Sequence, residues 1–87
     1  MTSMTMEKTL TIQILTPEGP VFEGTAKAVF LPGKVSAFEV LPGHAPIISA
    51  LQAGAIRVMD GEERRFAIRS GVVKVLADRV TVCAEML

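Results

Sequence analysis

Tryptophan and tyrosine are missing from this 87-residue chain, and cysteine and histidine occur once each. A lone cysteine, Cys83, can build neither an internal disulfide framework nor a multi-cysteine zinc site, which suits a reducing compartment. A lone histidine, His44, leaves no metal-ligand spacing among the scattered carboxylates. Any Ser-His-Asp arrangement would run through His44 with Ser36, Ser49 or Ser70 as nucleophile, yet no G-x-S-x-G elbow is present to expose one. The opposing reading, a histidine whose ring bonds the backbone to brace a proline-rich loop, asks for no catalytic partner. Nine basic residues cancel nine acidic ones, so the electrostatic footprint of a nucleic-acid binder or a polybasic anchor is absent. No apolar run approaches the ~18 residues of a membrane span, and residues 1–8 hold no apolar core of the signal-peptide kind. The expectation is a soluble cytoplasmic protein with no cofactor, no nucleic-acid partner and no direct membrane insertion.

Apolar residues, mostly Val, Ile, Leu and Ala, make up 49% of the chain, enough for one small core. We expect a flexible leader over residues 1–7 and one domain over 8–87. Short β-rich runs separated by turn signals roughly every eight to twelve residues predict an all-β fold, a small antiparallel sandwich. Thr9 to Leu15 alternates, with Leu10, Ile12 and Ile14 on one face and Thr11 and Gln13 on the other. Thr16-Pro-Glu-Gly-Pro20 then turns the chain. A brief strand through Val21 to Glu23 ends at Gly24, and Lys27 to Leu31 runs extended to the Pro32-Gly33 turn. Val35 to Leu41 reads as the next strand, followed by the stiff loop Pro42-Gly-His-Ala-Pro46. Ile47, Ile48, Leu51 and Ala55 also fit a helical stripe, but the spacing is read as a strand ending at Gly54.

The remaining registers follow from facing. Ile56 and Val58 must share the buried face with Phe66 and Ile68, which requires an odd-length loop over Asp60-Gly-Glu62. After Ser70-Gly71, Val73 and Val75 match Val82 and Val80 across a two-residue Ala77-Asp78 turn, with Lys74 opposite Thr81 outside. Arg57, Arg65 and Arg69 then fall on one outer face, with Arg64 near the loop, balanced by Glu62 and Glu63. Met59, Ala67 and Leu76 also point outward, which is more apolar than an isolated sheet face and favours a protein contact. Gly19 to Gly24 matches G-x-x-x-x-G, but Thr25-Ala26 follows where a phosphate loop needs Lys and Ser or Thr. Three of the four phenylalanines alternate with polar residues and belong to the core rather than to a base-stacking platform.

With strands and loops placed, residues 8 to 86 resemble the N-terminal β-sandwich of the epsilon subunit of rotary ATP synthases. The blocks that carry the resemblance are Pro42-Gly-His-Ala-Pro46, Ile47-Ile-Ser-Ala-Leu51 and the Gly54 turn leading into Ile56-Arg-Val58. Phe66 to Val75, Val80-Thr-Val82, Ala84-Glu85, Thr16-Pro-Glu18 and Phe22-Glu-Gly24 add to it. The chain departs from the family pattern ahead of the PGH loop, with Ala37 at a usual acidic position and Glu39 at a usual glycine. The resemblance implies a non-catalytic rotor part on the cytoplasmic face of a bacterial membrane. Such a part joins the gamma subunit to the ring of c subunits, couples proton flow to ATP synthesis, and reaches the catalytic alpha/beta head indirectly. It also implies that Thr16, His44 and Ser49 face gamma. The loop Pro32, Gly33, Lys34, Val35, Ser36, Ala37 and Phe38 would face the ring; apart from the resemblance, the outward facing of Arg57, Met59, Arg65 and Arg69 leads us to expect a further contact there. Because Glu85-Met-Leu87 alone follow the last strand, a short form without the family's C-terminal helical pair and its brake on rotation is expected. The competing expectations are a small β-sandwich adaptor or ligand-binding module, which would need a closed pocket with convergent polar groups, and a minimal hydrolase built on His44.

Overall fold

Fifteen consecutive residues, Glu62–Leu76, form one strand, β7, and the rest of the chain is arranged around it. In the computed structural model, which describes residues 8–87, the strands before it are β1 (Leu10–Thr16), β2 (Gly19–Ala26), β3 (Ala28–Leu31), β4 (Phe38–Val40), β5 (Ile47–Leu51) and β6 (Gly54–Asp60). One strand follows it, β8 (Arg79–Met86). The leader expected over residues 1–7 lies outside the described residues.

The first half of β7 pairs with β6, which continues through β3 to β4. Its second half pairs with β5 along the same edge. Its other edge carries β8, then β1 and β2. The sequence pattern breaks at Ser70-Gly71, which suggests two strands, but the structure keeps one. Ile68 opposes Met86 and Ser70 opposes Glu85, so Arg69 is an extra residue, a β-bulge. Before the bulge even-numbered Phe66 and Ile68 face inward; after it odd-numbered Val73 and Val75 do. On β8 the inward set Val80, Val82 and Ala84 keeps one parity throughout. One inserted residue thus reverses the facing of β7 while its partner runs straight, and β7 contributes to both halves of the sheet.

Leu10, Ile12, Ile14, Ile56, Val58, Ile68, Val73, Val75, Val80 and Val82 are each at most 1% exposed, as alternation predicts. Phe66 is the exception in that set, being half-buried. Its ring lies 5.4 Å from that of Phe22 on β2, and both pack against the core. Val29, Leu31, Val40 and Leu51 complete the core from strands too short for alternation to single them out.

Other boundaries also differ from the pattern. β2 is eight residues long, not three, because both Pro20 and Gly24 are accommodated beside β1. Only Phe38–Val40 of the run 35–41 pairs as a strand, and Val35 stands fully exposed at the tip of the preceding loop. β5 stops at Leu51, three residues short of Gly54, because Gln52 turns to donate its amide to the Pro32 carbonyl at 2.9 Å. The sheet is not wholly antiparallel: β1 and β8 run parallel, with Ile12 beside Val80 and Ile14 beside Val82. Nearly the whole chain connects that pair, so no turn reports it.

Candidate functional site

Among the described residues no polar or charged side chain is buried, and no three of His, Cys, Asp and Glu come together in a way that could hold a metal. Attention therefore falls on surfaces, and the register defines one. Ala50 pairs with Val72, Val72 with Cys83, Cys83 with Leu15, and Leu15 with Pro20. These five residues form a row across β5, β7, β8, β1 and β2 with no charge and no side-chain hydrogen-bonding group beyond a thiol. All face away from the core, and Val72 is 46% exposed. Ile48, two positions along β5, is 74% exposed beside them. A groove of about 480 Å³ lies beside the Cys83 and Leu15 part of the row, lined in part by Leu15, Thr16, Pro17, Gly71, Cys83 and Glu85.

Thr16 ends β1 beside that groove. Its hydroxyl donates to the Gly19 carbonyl at 2.8 Å and accepts from the Glu18 amide at 3.2 Å, which closes the β1–β2 turn. Ser49 lies on the edge strand β5, opposite Val73, so its side chain belongs to the inward-facing set at the rim of the sheet. His44 is at the other end. Its loop meets the β7–β8 turn, where Gly43 donates its amide to the Asp78 carboxylate at 2.7 Å. Asp78 in turn accepts from Thr11 at the start of β1. Thr16 and His44 are therefore separated by the length of β1, about 17 Å along the strand axis. Thr16 and Ser49 lie three strands apart, about 14 Å across the sheet. The three do not converge on one point; they mark a broad perimeter.

The His44 loop is a Pro-Gly turn. Leu41 accepts from the His44 amide at 3.1 Å, Pro42 takes the second position, and Gly43 takes the third with φ +89°, the left-handed value that glycine meets without strain. The ring Nδ1 lies 2.7 Å from the Ala45 carbonyl. A carbonyl only accepts, so Nδ1 is the donor in this contact.

The loop from Pro32 to Phe38 hooks onto the end of β5. Lys34 donates its amide to the Ala50 carbonyl at 3.0 Å, and Gly33 bridges Leu51. Gly33 is required there by crowding: a Cβ would stand 2.3 Å from the Ser36 carbonyl oxygen and 2.9 Å from the Phe38 ring. Lys34, Val35, Ser36 and Ala37 are exposed, while Pro32 and Gly33 are buried.

The arginine face resolves into separate devices. Arg57 and Arg65 oppose each other on β6 and β7, and the Glu63 carboxylate takes both, Arg57 Nη2 at 2.8 Å and Nε at 3.1 Å, with Arg65 Nε on its other oxygen. Hydrogen bonds from Arg57 and then Arg65 hold the Glu63 carboxyl below its usual range. The Arg57 guanidinium also lies 4.7 Å over the Phe30 ring. Glu62, expected to share the balancing, stands opposite Asp60 in the backbone register of the hairpin. Met59 is half-buried between Ala28 and Glu63. Arg64 takes an inward-facing register position opposite Val58 at the mouth of the sandwich, its guanidinium 5.8 Å over Phe22. Arg69 is the bulge residue, away from the Glu63 cluster.

Sequence reasoning missed the apolar row and Asp78. Half of the row was within reach, because the register that sets Val73 against Val82 also sets Val72 against Cys83. Its extension onto Leu15 depends on the parallel β1–β8 pairing, which no hairpin signal announces.

The described interior is wholly apolar, and the distinctive outer features are the loops that carry Thr16 and His44 and an uncharged row across five strands. Residues 9–87 match the family model described as the ATP synthase, Delta/Epsilon chain, beta-sandwich domain, and the chain belongs to that family. Among similar proteins are the ATP synthase epsilon chains of Wolinella succinogenes, 44% identical over 82 residues, covering 92% of this chain and 63% of that one, and of Campylobacter fetus, 40% identical over 79 residues, covering 88% and 61%. The chain thus spans less than two thirds of the length of these relatives. Solved structures share the fold at low identity. A chain of the Tetrahymena thermophila mitochondrial ATP synthase central stalk/c-ring matches with TM-score 0.75 and 12% identity, over 93% of this chain and 66% of that one. A chain of the Euglena gracilis mitochondrial ATP synthase matches with TM-score 0.82 and 16% identity, over 87% and 50%.

Proposed function

We propose that this sandwich is a non-catalytic rotor element of a bacterial proton-translocating ATP synthase. It joins the gamma subunit to the c-subunit ring on the cytoplasmic face of the membrane, and reaches the alpha/beta head only through gamma. What carries the reading is family membership over nearly the whole chain together with an outer row, Ala50 to Pro20, that lacks charge across five strands. A solvated sheet face does not need such a row; a face pressed against another subunit does. In this reading Thr16, His44 and Ser49 mark the perimeter of the gamma contact. The Pro32 to Phe38 loop, with Val35 at its tip, meets the ring, and Arg57, Met59, Arg65 and Arg69 offer additional contacts. The function is mechanical: the ring turns the sandwich, and the sandwich turns gamma.

The adaptor and ligand-module alternative has less support, since the groove beside Thr16 is lined mainly by apolar atoms. The test is capture of the tagged chain from bacterial membranes after gentle detergent extraction. Recovery of gamma and c subunits in stoichiometric amounts is the expected result. Their absence, with the tagged chain folded and exposed, would remove the proposal.

A further inference from the structure

Asp78 occupies a position that its turn would rather give to glycine. Ala77 and Asp78 are the two residues of the β7–β8 hairpin loop, with φ +51° and +61°, which is the type I′ geometry. Such loops favour Asn or Asp first and Gly second, because both residues must sit in the left-handed region. Here the order is Ala then Asp. What the aspartate supplies in exchange is its carboxylate, which accepts the Gly43 amide at 2.7 Å from 35 residues away in the chain. That amide belongs to the Pro42-Gly43 turn, whose next residue is His44. The same Asp78 holds Thr11 through its own carbonyl, so the post on which the loop rests is fixed to the start of β1.

We infer that Asp78 is a positioning residue: its carboxylate sets the orientation of the loop carrying His44 and so prepares that end of the sheet to receive the gamma subunit. The inference rests on the rotor reading above for the identity of the partner. A charge-assisted bond to a backbone amide restricts the loop before binding, which lowers the ordering cost of association and so adds to the affinity. Two substitutions separate this role from that of the turn. Asp78→Gly suits the left-handed position and removes the acceptor; Asp78→Asn keeps an acceptor oxygen and tolerates the same backbone.

The experiment measures three quantities on the full chain: melting temperature, hydrogen exchange of the Gly43 amide, and affinity for purified gamma subunit by calorimetry. Asp78→Gly should melt at or above the native temperature, exchange Gly43 faster, and bind gamma about tenfold more weakly. Asp78→Asn should restore most of the affinity. A merely structural role would lower the melting temperature and affinity together and would not be rescued selectively in binding. If the native chain binds gamma and Asp78→Gly binds it equally well, the inference is overturned while the rotor reading stands. If the native chain does not bind gamma at all, the rotor reading falls and takes this partner assignment with it.

Discussion

Deleting Arg69 should unfold the protein, although replacing its side chain should do almost nothing. The bulge at this residue reverses the parity of β7, so without it the two halves of the strand cannot both face the core. If the second half gives way, Val73 and Val75, at most 1% exposed in the native fold, turn to solvent while Val72, Lys74 and Leu76 turn inward. If the first half gives way, Phe66 and Ile68 turn out and Arg65 turns in. The two valines that leave forfeit about 3–6 kcal/mol at about 1.5–3 kcal/mol each, offset in part by the entry of Val72 and Leu76, whose misfit in a core shaped for other side chains costs about 1–3 kcal/mol. The cation driven inward adds several kcal/mol more by desolvation, on the order of the loss itself. A chain of this size has a stability of about 4–13 kcal/mol, so most or all of it is consumed. Urea unfolding followed by circular dichroism, with an amide NMR spectrum of each variant, makes the measurement. The deletion should give no cooperative transition and no dispersed amides, and Arg69→Ala should keep the native midpoint within about 0.5 kcal/mol. A deletion variant with a native midpoint and dispersed amides would refute the argument that the bulge sets the facing.

Gly33→Ala should cost about 1–3 kcal/mol in urea, since the new methyl meets the Ser36 carbonyl and the Phe38 ring; it should also speed exchange of the Lys34 and Gln52 amides that tie the loop to β5. Ala77→Asn should raise stability by about 1 kcal/mol by relieving a left-handed alanine, read as a higher urea midpoint. The Glu63 carboxyl has a folded value below its ordinary 4.5, so its bonds to Arg57 and Arg65 contribute fully above the unfolded value. That contribution is lost as pH falls through the lower folded one. Glu63→Gln should flatten this part of the acid limb of the stability curve, and a variant with an unchanged slope would count against the ion cluster. Val72→Glu, placed in the middle of the apolar row, should leave the melting temperature near native and reduce capture of gamma from membranes.

Alternation made the long strands legible. Leu10, Ile12 and Ile14, the match of Val73 and Val75 to Val82 and Val80, and the odd loop at Gly61 were all fixed by which residues must be hidden. The period fails where strands are short: Val29 and Leu31 on a four-residue strand, and Val40 on a three-residue one, offer too few alternations to separate a face from chance. It also fails where proline and glycine join a strand, as in β2, because edge pairing tolerates residues that read as breakers. The break at Ser70-Gly71 was a true signal with a different cause, a parity change inside one strand rather than the end of one.

The candidate site was less legible than the core for a physical reason. Core positions are selected by water, which acts on every residue alike and leaves a periodic trace. A contact surface is selected by the shape of another chain, and its residues are drawn from whichever strands happen to lie side by side. Pro20, Leu15, Cys83, Val72 and Ala50 are unremarked in sequence order, and become one row only when β1 is laid parallel to β8. The row is also the feature that the fold itself does not demand. Outward positions one step along the same strands hold Lys74, Thr81, Gln13 and Glu23, and these pair across the sheet without loss, Gln13 bonding Glu23 at 2.8 Å. Polar residues are therefore acceptable on this face, and packing within the chain gives no reason for their exclusion from the neighbouring row. An apolar row that folding tolerates but does not need requires another cause, and burial against a second subunit supplies one.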